Sequence, residues 1–408
     1  MKILWVKAGG LIPLDTGGKI RSYHLLKELA NKHEVTLFTF YPAHPDDRHH
    51  ELERVFSRVV CLPLQIPGPG SFGDYLNYFW NLFGPYPYAM AKYYRPGLAD
   101  ALRKLVMSET YETIVCDFLV PAGIIPWDAP VPKVLFTHNV EAIIWQRHYQ
   151  CARNPIWKSV YWREYRTMKR VESHYLERAD HVLTVSETDR DYFARFIAPS
   201  KITVIPTGVD ADFFRPQQVR ERPNTMVFTG SMDWLPNEDA VFYFVEAILP
   251  QIQRRIPDAT LRVVGRRPSS RLMALAGRND HVDVTGGVED IRAYVRDASV
   301  YVVPLRIGGG TRLKIFEAMA MGKAVVATSV GAEGLPVEHG KDIILTDDPA
   351  EFAEAVSALL ANPAAREKLG KAARSLVEEK YSWASAAARL EMVLARTAKK
   401  NSSRTGSP

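Results

Sequence analysis

Short apolar runs recur along the chain, separated by stretches whose apolar positions repeat at helical spacing. In the first half Ile3 to Val6, Val35 to Phe40, Thr113 to Cys116, Val134 to Thr137 and Val182 to Val185 read as strands, and a helix opens at Gly17-Gly18 and runs to about Ala30. The second half repeats the plan with Met226 to Thr229, Leu261 to Val264, Val282 to Val284, Val300 to Val303, Ala324 to Ala327 and Ile343 to Leu345. Continuous rather than alternating apolar runs, spaced by helices, predict parallel sheets covered on both faces. Between the halves, VIPTGVDADFFRP at 204–216 carries prolines and a glycine without helical period, so the hinge is expected there. The pattern predicts two α/β domains, 1–205 and 206–380, facing each other across a cleft with ligands at the carboxyl ends of the strands.

One junction carries the densest chemistry. VPLRIGGGTRLKIFEAMAMGKAVVATSVGAEGL, 303–335, joins a strand to a glycine-rich turn with Arg312 and Lys314, then to a helix bearing Glu317. Three consecutive glycines let backbone N–H groups approach a ligand, and the helix N-terminus and two cations favour an anion. Glu317 is placed to take ribose hydroxyls, and diphosphate with ribose means a nucleotide. Gly17 and Gly18, with Lys19 and Arg21 beside them, open the first helix; a tight strand–helix turn with solvated charges is the plainer reading. His138 follows an apolar strand, where a structural hydrogen-bonding role competes with a place in the cleft. Glu141 reads as an acceptor-side carboxylate or as the start of a surface helix, and Ser186-Glu187 as a helix start. Gly230 and Ser231 follow the first strand of the second half, where their amides can face a phosphate, and Asn237 is expected to cap the next helix. Arg266, in VGRR, is placed to stack on or bond the base, or else belongs to a surface pair. The Asp189/Asp191 and Asp210/Asp212 pairs are read as structural, and no metal site is expected.

The junction resembles the donor-binding segment of retaining GT-B glycosyltransferases of family 4. The likeness extends, in order, through TGGKIRSYHLLKELA near the N-terminus, THNVE at 137–141, ADHVLTVSETDRD at 179–191, VIPTGVD at 204–210 and TGSMDWLPNEDAV at 229–241. Within that family the chain is most similar to sugar transferases of bacterial exopolysaccharide clusters. The resemblance implies two Rossmann-like domains and transfer of a sugar from a nucleoside diphosphate to a glycan or lipid-linked acceptor. The nucleotide sugar is then a substrate, and no cofactor is expected. It places Gly17 and Gly18 near the donor diphosphate and His138 at the donor sugar or reacting centre. It also implies that the last helix, 381–398, returns to the first domain. Two departures stand out. Asp233, Trp234 and Asn237 occupy the region where relatives carry an Arg and a Lys, which shifts the phosphate charge onto Arg312 and Lys314. Gly309 stands where relatives carry the first of two glutamates, so backbone N–H groups from Gly309 through Gly310 to Thr311 are expected to hold the sugar instead. A nucleotide-sugar epimerase and a non-catalytic nucleotide-sugar-binding protein of a polysaccharide complex remain as alternatives.

Composition narrows the setting. The 408 residues carry a net charge of +6, spread along the chain without a basic tail, which fits anionic membranes or substrates better than nucleic acid. Cys61, Cys116 and Cys151 form no metal-binding spacing, so a reducing cytoplasm is expected. The opening MKILWVKAGG reads as a strand rather than a signal peptide, and no apolar run is long enough to span a bilayer. The segment 66–97 is crowded with aromatics and contains a helix over Asp74 to Leu82. It reads as core packing of a helical hairpin or as an interfacial surface for a lipid-linked acceptor, supported by Lys92 and Arg95. The stretch 156–178 mixes aromatic and basic residues with interleaved acids, as a solvated amphipathic helix does. Peripheral association with the inner face of the cell membrane follows as an expectation. Residues 399–408 are small and polar, and disorder is expected there.

Overall fold

The computed structural model describes the chain except residues 15, 42–46, 69–70, 153, 218, 220, 308–312 and 406–408. Contacts divide it into two units, Met1–Pro206 with Trp383–Pro408, and Thr207–Ser382.

The first unit holds β1 (Lys2–Ala8), β2 (Glu34–Tyr41), β3 (Arg58–Pro63), β4 (Thr113–Asp117), β5 (Lys133–Phe136), β6 (His181–Thr184) and β7 (Ile202–Val204). They form one parallel sheet in the order β3-β2-β1-β4-β5-β6-β7. The second unit holds β8 (Thr225–Thr229), β9 (Thr260–Val264), β10 (Val282–Gly286), β11 (Val300–Val303), β12 (Val325–Ala327) and β13 (Ile344–Leu345), in the order β10-β9-β8-β11-β12-β13. The central strands β4, β5, β8 and β11 are buried along their whole length, which is why they read as unbroken apolar runs. Two strands have no counterpart in the sequence reading. β3 lies at a sheet edge and is half-exposed, and β7 is a three-residue strand at the opposite edge. Neither needs a long apolar run.

Both sheets reverse their winding beside the first strand of the unit. The reversal falls between β1 and β4 in one and between β8 and β11 in the other. Loops leaving neighbouring strands part there in opposite directions and open a crevice at the carboxyl ends, the usual ligand position of such sheets.

The helix Gly17–Ala30 buries Arg21, Ser22, Leu25, Leu26 and Leu29, and the Thr16 side chain caps its N-terminus. The last helix, Trp383–Thr405, packs on it in the first unit: Trp383 stacks on His24 with ring centroids 5.0 Å apart, and Glu391 holds Lys32 and His33, each at 3.2 Å. That helix passes residue 399, where disorder was expected, and continues to Thr405. Extending an existing helix adds a hydrogen bond per residue without a new nucleation cost, so polar composition alone does not end it.

Candidate active site

In the second unit the switch point gathers side chains from two βα junctions. After β8 the chain runs through Gly230 and Ser231 into the helix Leu235–Tyr243; beyond β11 it returns as the helix Leu313–Ala320. Lys314 Nζ donates to Asn237 Oδ1 at 2.8 Å and lies 4.1 Å from the centroid of the Phe228 ring. Asn237 is buried and donates from Nδ2 to the Ser231 carbonyl at 2.9 Å. It is therefore not the helix cap expected for it. The helix starts at Leu235 with Pro236 in its first turn, a residue suited to that place because it has no N–H to leave unpaired. Asn237 instead ties the β8 loop to Lys314.

Glycine at 230 is what lets that cluster close. A Cβ there would lie 2.6 Å from Asn237 Nδ2 and 3.0 Å from Lys314 Nζ. The next loop presses in from the other side, since a Cβ on Gly265 would sit 1.7 Å from the Gly230 carbonyl oxygen. Arg266 then donates from Nε to Ser231 Oγ at 2.9 Å, and Ser231 Oγ donates to Asp233 Oδ1 at 2.5 Å. Gly230, Ser231, Arg266 and Lys314 are thus brought together around Asn237. Glu317 follows Lys314 on the same helix and is half-buried. Burial, opposed by the Lys314 charge, pushes its carboxyl up to about 7. Gly309, Gly310, Thr311 and Arg312 lie outside the described residues.

The first unit carries a different constellation at its own switch point. Lys7, near the end of β1, stands in register with Asp117, the last residue of β4. Asp117 is fully buried; its Oδ2 accepts from Lys7 Nζ and Trp5 Nε1, each at 3.0 Å, and its Oδ1 accepts from His138 Nε2 at 2.6 Å. Lys7 also donates to Ser22 Oγ at 3.0 Å. Arg21 Nη1 meets His138 Nδ1 at 2.8 Å. A guanidinium only donates, so Nδ1 carries the lone pair and Nε2 the proton, which goes to Asp117. His138 is held neutral. Burial pushes its pKa down to about 4, with the nearby charges of Arg21 and Lys7 adding to the shift and Asp117 opposing it. Burial raises the cost of ionising Asp117, but the Lys7 charge and the His138 bond outweigh it and hold the carboxyl below its usual range.

Phe118 completes this wall. Its backbone adopts a φ of 68°, and the ring stacks on His138 with centroids 3.8 Å apart. A Cβ on Gly18 would lie 2.4 Å from Phe118 Cζ, so glycine is required there for close packing. Gly17 is exposed at the start of the helix. Arg21, read from sequence as a solvated helix-face charge, is buried. The sequence reading missed Lys7 and Asp117 altogether. The available signal was a charge directly after each of two buried apolar runs, Ile3 to Val6 and Ile114 to Cys116.

Residues 16–213 match the model of the Glycosyltransferase Family 4 domain, and residues 223–362 match that of Glycosyl transferases group 1. The chain is a family 4 glycosyltransferase. An uncharacterized 44.6 kDa protein in the cps region of Klebsiella pneumoniae is 22% identical over 93% of this chain and 96% of that protein. A GDP-mannose-dependent α-(1-6)-phosphatidylinositol monomannoside mannosyltransferase of Mycobacterium tuberculosis is 28% identical over 72% of this chain and 78% of that one. Among solved structures, Anabaena HepE in complex with UDP superposes with a TM-score of 0.69 at 15% identity, covering 97% of this chain and 100% of its own. That likeness places the glycosyltransferase in the GT-B fold class.

Two further carboxyls meet in the first unit. Glu172, buried on the helix Pro155–Arg178, accepts the Glu141 backbone N–H at 2.8 Å. Burial pushes Glu172 up to about 8, with repulsion from Glu141 adding to it, and pushes Glu141 up to about 7. The folded state therefore holds protons that the unfolded chain has already released above the ordinary carboxylate range. Their contribution to stability is complete below about pH 4 and is lost as pH rises to about 8. Glu172→Gln keeps an oxygen for the Glu141 N–H but cannot ionise. Chemical unfolding at pH 5 and pH 9 is expected to show the variant near wild type at the lower pH and about 2 kcal/mol more stable at the higher. Equal pH slopes for the two proteins would contradict the assignment.

Proposed function

We propose that this glycosyltransferase moves a sugar from a nucleoside-diphosphate donor to a glycan or lipid-linked acceptor, with retention at the anomeric carbon, during assembly of a bacterial exopolysaccharide. The observation that carries the donor half is the meeting of Gly230, Asn237 and Lys314 at the switch point of the second sheet. Lys314 and the backbone amides beside Gly230 supply positive potential for a diphosphate, and Glu317 supplies a carboxylate for ribose hydroxyls. Arg312, Gly310 and Thr311 join them by resemblance, and Gly309 leaves the sugar to backbone donors. With charge neutralised by side chains and amides, the leaving diphosphate needs no metal ion in this reading.

The proton has a route that does not use His138. Both its ring nitrogens are occupied and its ring is stacked. We read His138 as a positioning residue that fixes Arg21, and the departing diphosphate as the acceptor of the hydroxyl proton. The UDP complex of HepE and the GDP-mannose dependence of the mycobacterial relative support a nucleotide-sugar donor while leaving the base open. The Klebsiella relative's place in a cps region supports the polysaccharide setting.

Titration calorimetry with UDP, GDP and ADP tests the donor site. One nucleotide is expected to bind wild type and to bind Glu317→Ala about tenfold or more weakly, as loss of hydrogen bonds to a charged group implies. Absence of binding by all three to wild type would overturn the reading.

A further inference from the structure

The helix Phe72–Asn81 is amphipathic, yet it faces the opposite way from an ordinary surface helix. Phe72, Tyr75, Leu76, Phe79, Trp80 and, just beyond the helix, Phe83 recur at three- and four-residue spacing and so share one face. All six are exposed, with Phe72, Trp80 and Phe83 at 83%, 73% and 87%. The polar residues face the protein. Asp74 Oδ1 accepts from Tyr88 at 2.5 Å, Asn77 Nδ2 donates to Tyr88 at 3.4 Å, and Tyr78 donates to the buried Glu164 at 3.3 Å. Hydrogen bonds thus anchor the helix by its polar side and present its aromatic side outward. Solvent gives no reason for that orientation.

The surroundings are cationic. Arg95 shares an open groove with Ile66, Pro67, Leu76 and Trp80. From the helix Pro155–Arg178, Arg163 donates to the carbonyls of Asn81 and Leu82 while its charge is met by Glu164, and Arg170 donates to the Pro85 carbonyl, which brings the Arg170 guanidinium to the end of the aromatic stripe. Arg166 lies over the exposed Trp162 ring. The only carboxylates in the stretches 72–96 and 155–170 are Asp74 and Glu164, and both are engaged in the inward hydrogen bonds already named.

We infer that this face docks the enzyme on an anionic lipid surface. Tyr75 and Trp80, apolar in body and polar at the tip, suit the headgroup boundary, Phe72, Leu76, Phe79 and Phe83 supply apolar area to bury below it, and neighbouring arginines attract anionic headgroups. The inference does not depend on the donor reading, because the surface lies wholly in the first unit and needs no nucleotide.

The test is co-sedimentation of the full chain, without nucleotide, with vesicles of phosphatidylcholine alone and of equimolar phosphatidylcholine and phosphatidylglycerol. Wild type is expected to pellet with the mixed vesicles and much less with the neutral ones. Phe79→Ser/Trp80→Ser/Phe83→Ser, which alters only exposed side chains, is expected to lower partitioning about tenfold or more. Arg166→Glu leaves the aromatic face intact and is expected to lower binding to the mixed vesicles about tenfold, with little change on neutral ones. Wild type that stays in the supernatant with both vesicles overturns the inference. So does a triple variant that binds as well as wild type, or equal binding to neutral and anionic vesicles. Wild-type self-association that the triple variant loses, without vesicle binding, would assign the face to a second copy of the chain.

Discussion

Lys314→Ala is expected to lower kcat by about a hundredfold to a thousandfold while the protein stays folded. In the proposed reaction, negative charge grows on the diphosphate as the bond to the sugar breaks. A cation already held in place stabilises that charge without reorganising solvent at the moment of reaction. Lys314 is so held, by Asn237 Oδ1 on one side and the Phe228 ring on another. Its removal also leaves Asn237 Oδ1 without that donor, which costs about 1 kcal/mol of stability. The two effects separate cleanly. Steady-state kinetics reads the first as a fall in kcat with a smaller change in KM, because the interaction strengthens as the leaving charge develops. Thermal unfolding reads the second as a shift of a few degrees. A variant with unchanged kcat and lowered stability would reduce Lys314 to a structural tie. Lys314→Arg is a poor rescue, since the wider guanidinium must fit where Nζ already lies within 3.0 Å of a Cβ position on Gly230.

How much of this was legible in the sequence depends on what kind of information each feature carries. The strands β1, β4, β5, β8 and β11 show themselves because burial on both faces demands apolar residues at successive positions. The edge strands β3 and β7 face no such demand. Of the glycine junction, Lys314 and Glu317 lie within the described residues, on the one helix that spacing along the sequence predicts for them. What sequence could not convey is pairing over long separations. Lys7 and Asp117 are 110 residues apart, and only the β1–β4 register makes them neighbours. Arg21 looked solvated because the helix it sits on is polar through its first turns, whereas its partner His138 arrives from the loop after β5. The aromatic helix shows the same limit. Its spacing reveals an apolar face, but the outward direction of that face follows from Tyr88 and Glu164, which bind the polar residues from behind.

Asp117→Ala is expected to cost the first unit about 3–5 kcal/mol of unfolding free energy, the range for removing one partner of a buried ion pair. Three donors converge on this carboxylate, from Lys7, Trp5 and His138, and it has no exposure to water that would re-solvate them. Without it, Lys7 remains beside Ser22 as a buried charge with no counterion, close to the charge of Arg21. His138 loses the acceptor that fixes its tautomer, so the Arg21 guanidinium loses its anchored partner as well. Urea unfolding followed by tryptophan fluorescence measures the loss, and Trp5 reports from within the cluster. Lys7→Met/Asp117→Asn supplies the decisive comparison. If the cost of the single variant is an uncompensated charge, removing both charges recovers a large part of it, because a neutral pair needs no counterion. If the double variant is as unstable as the sum of its parts, the cluster matters for its packing and its hydrogen bonds to Trp5 and His138 rather than for its charge. A loss below about 1 kcal/mol in Asp117→Ala would mean that water reaches Lys7 and that the buried network does not hold the switch point of the first sheet.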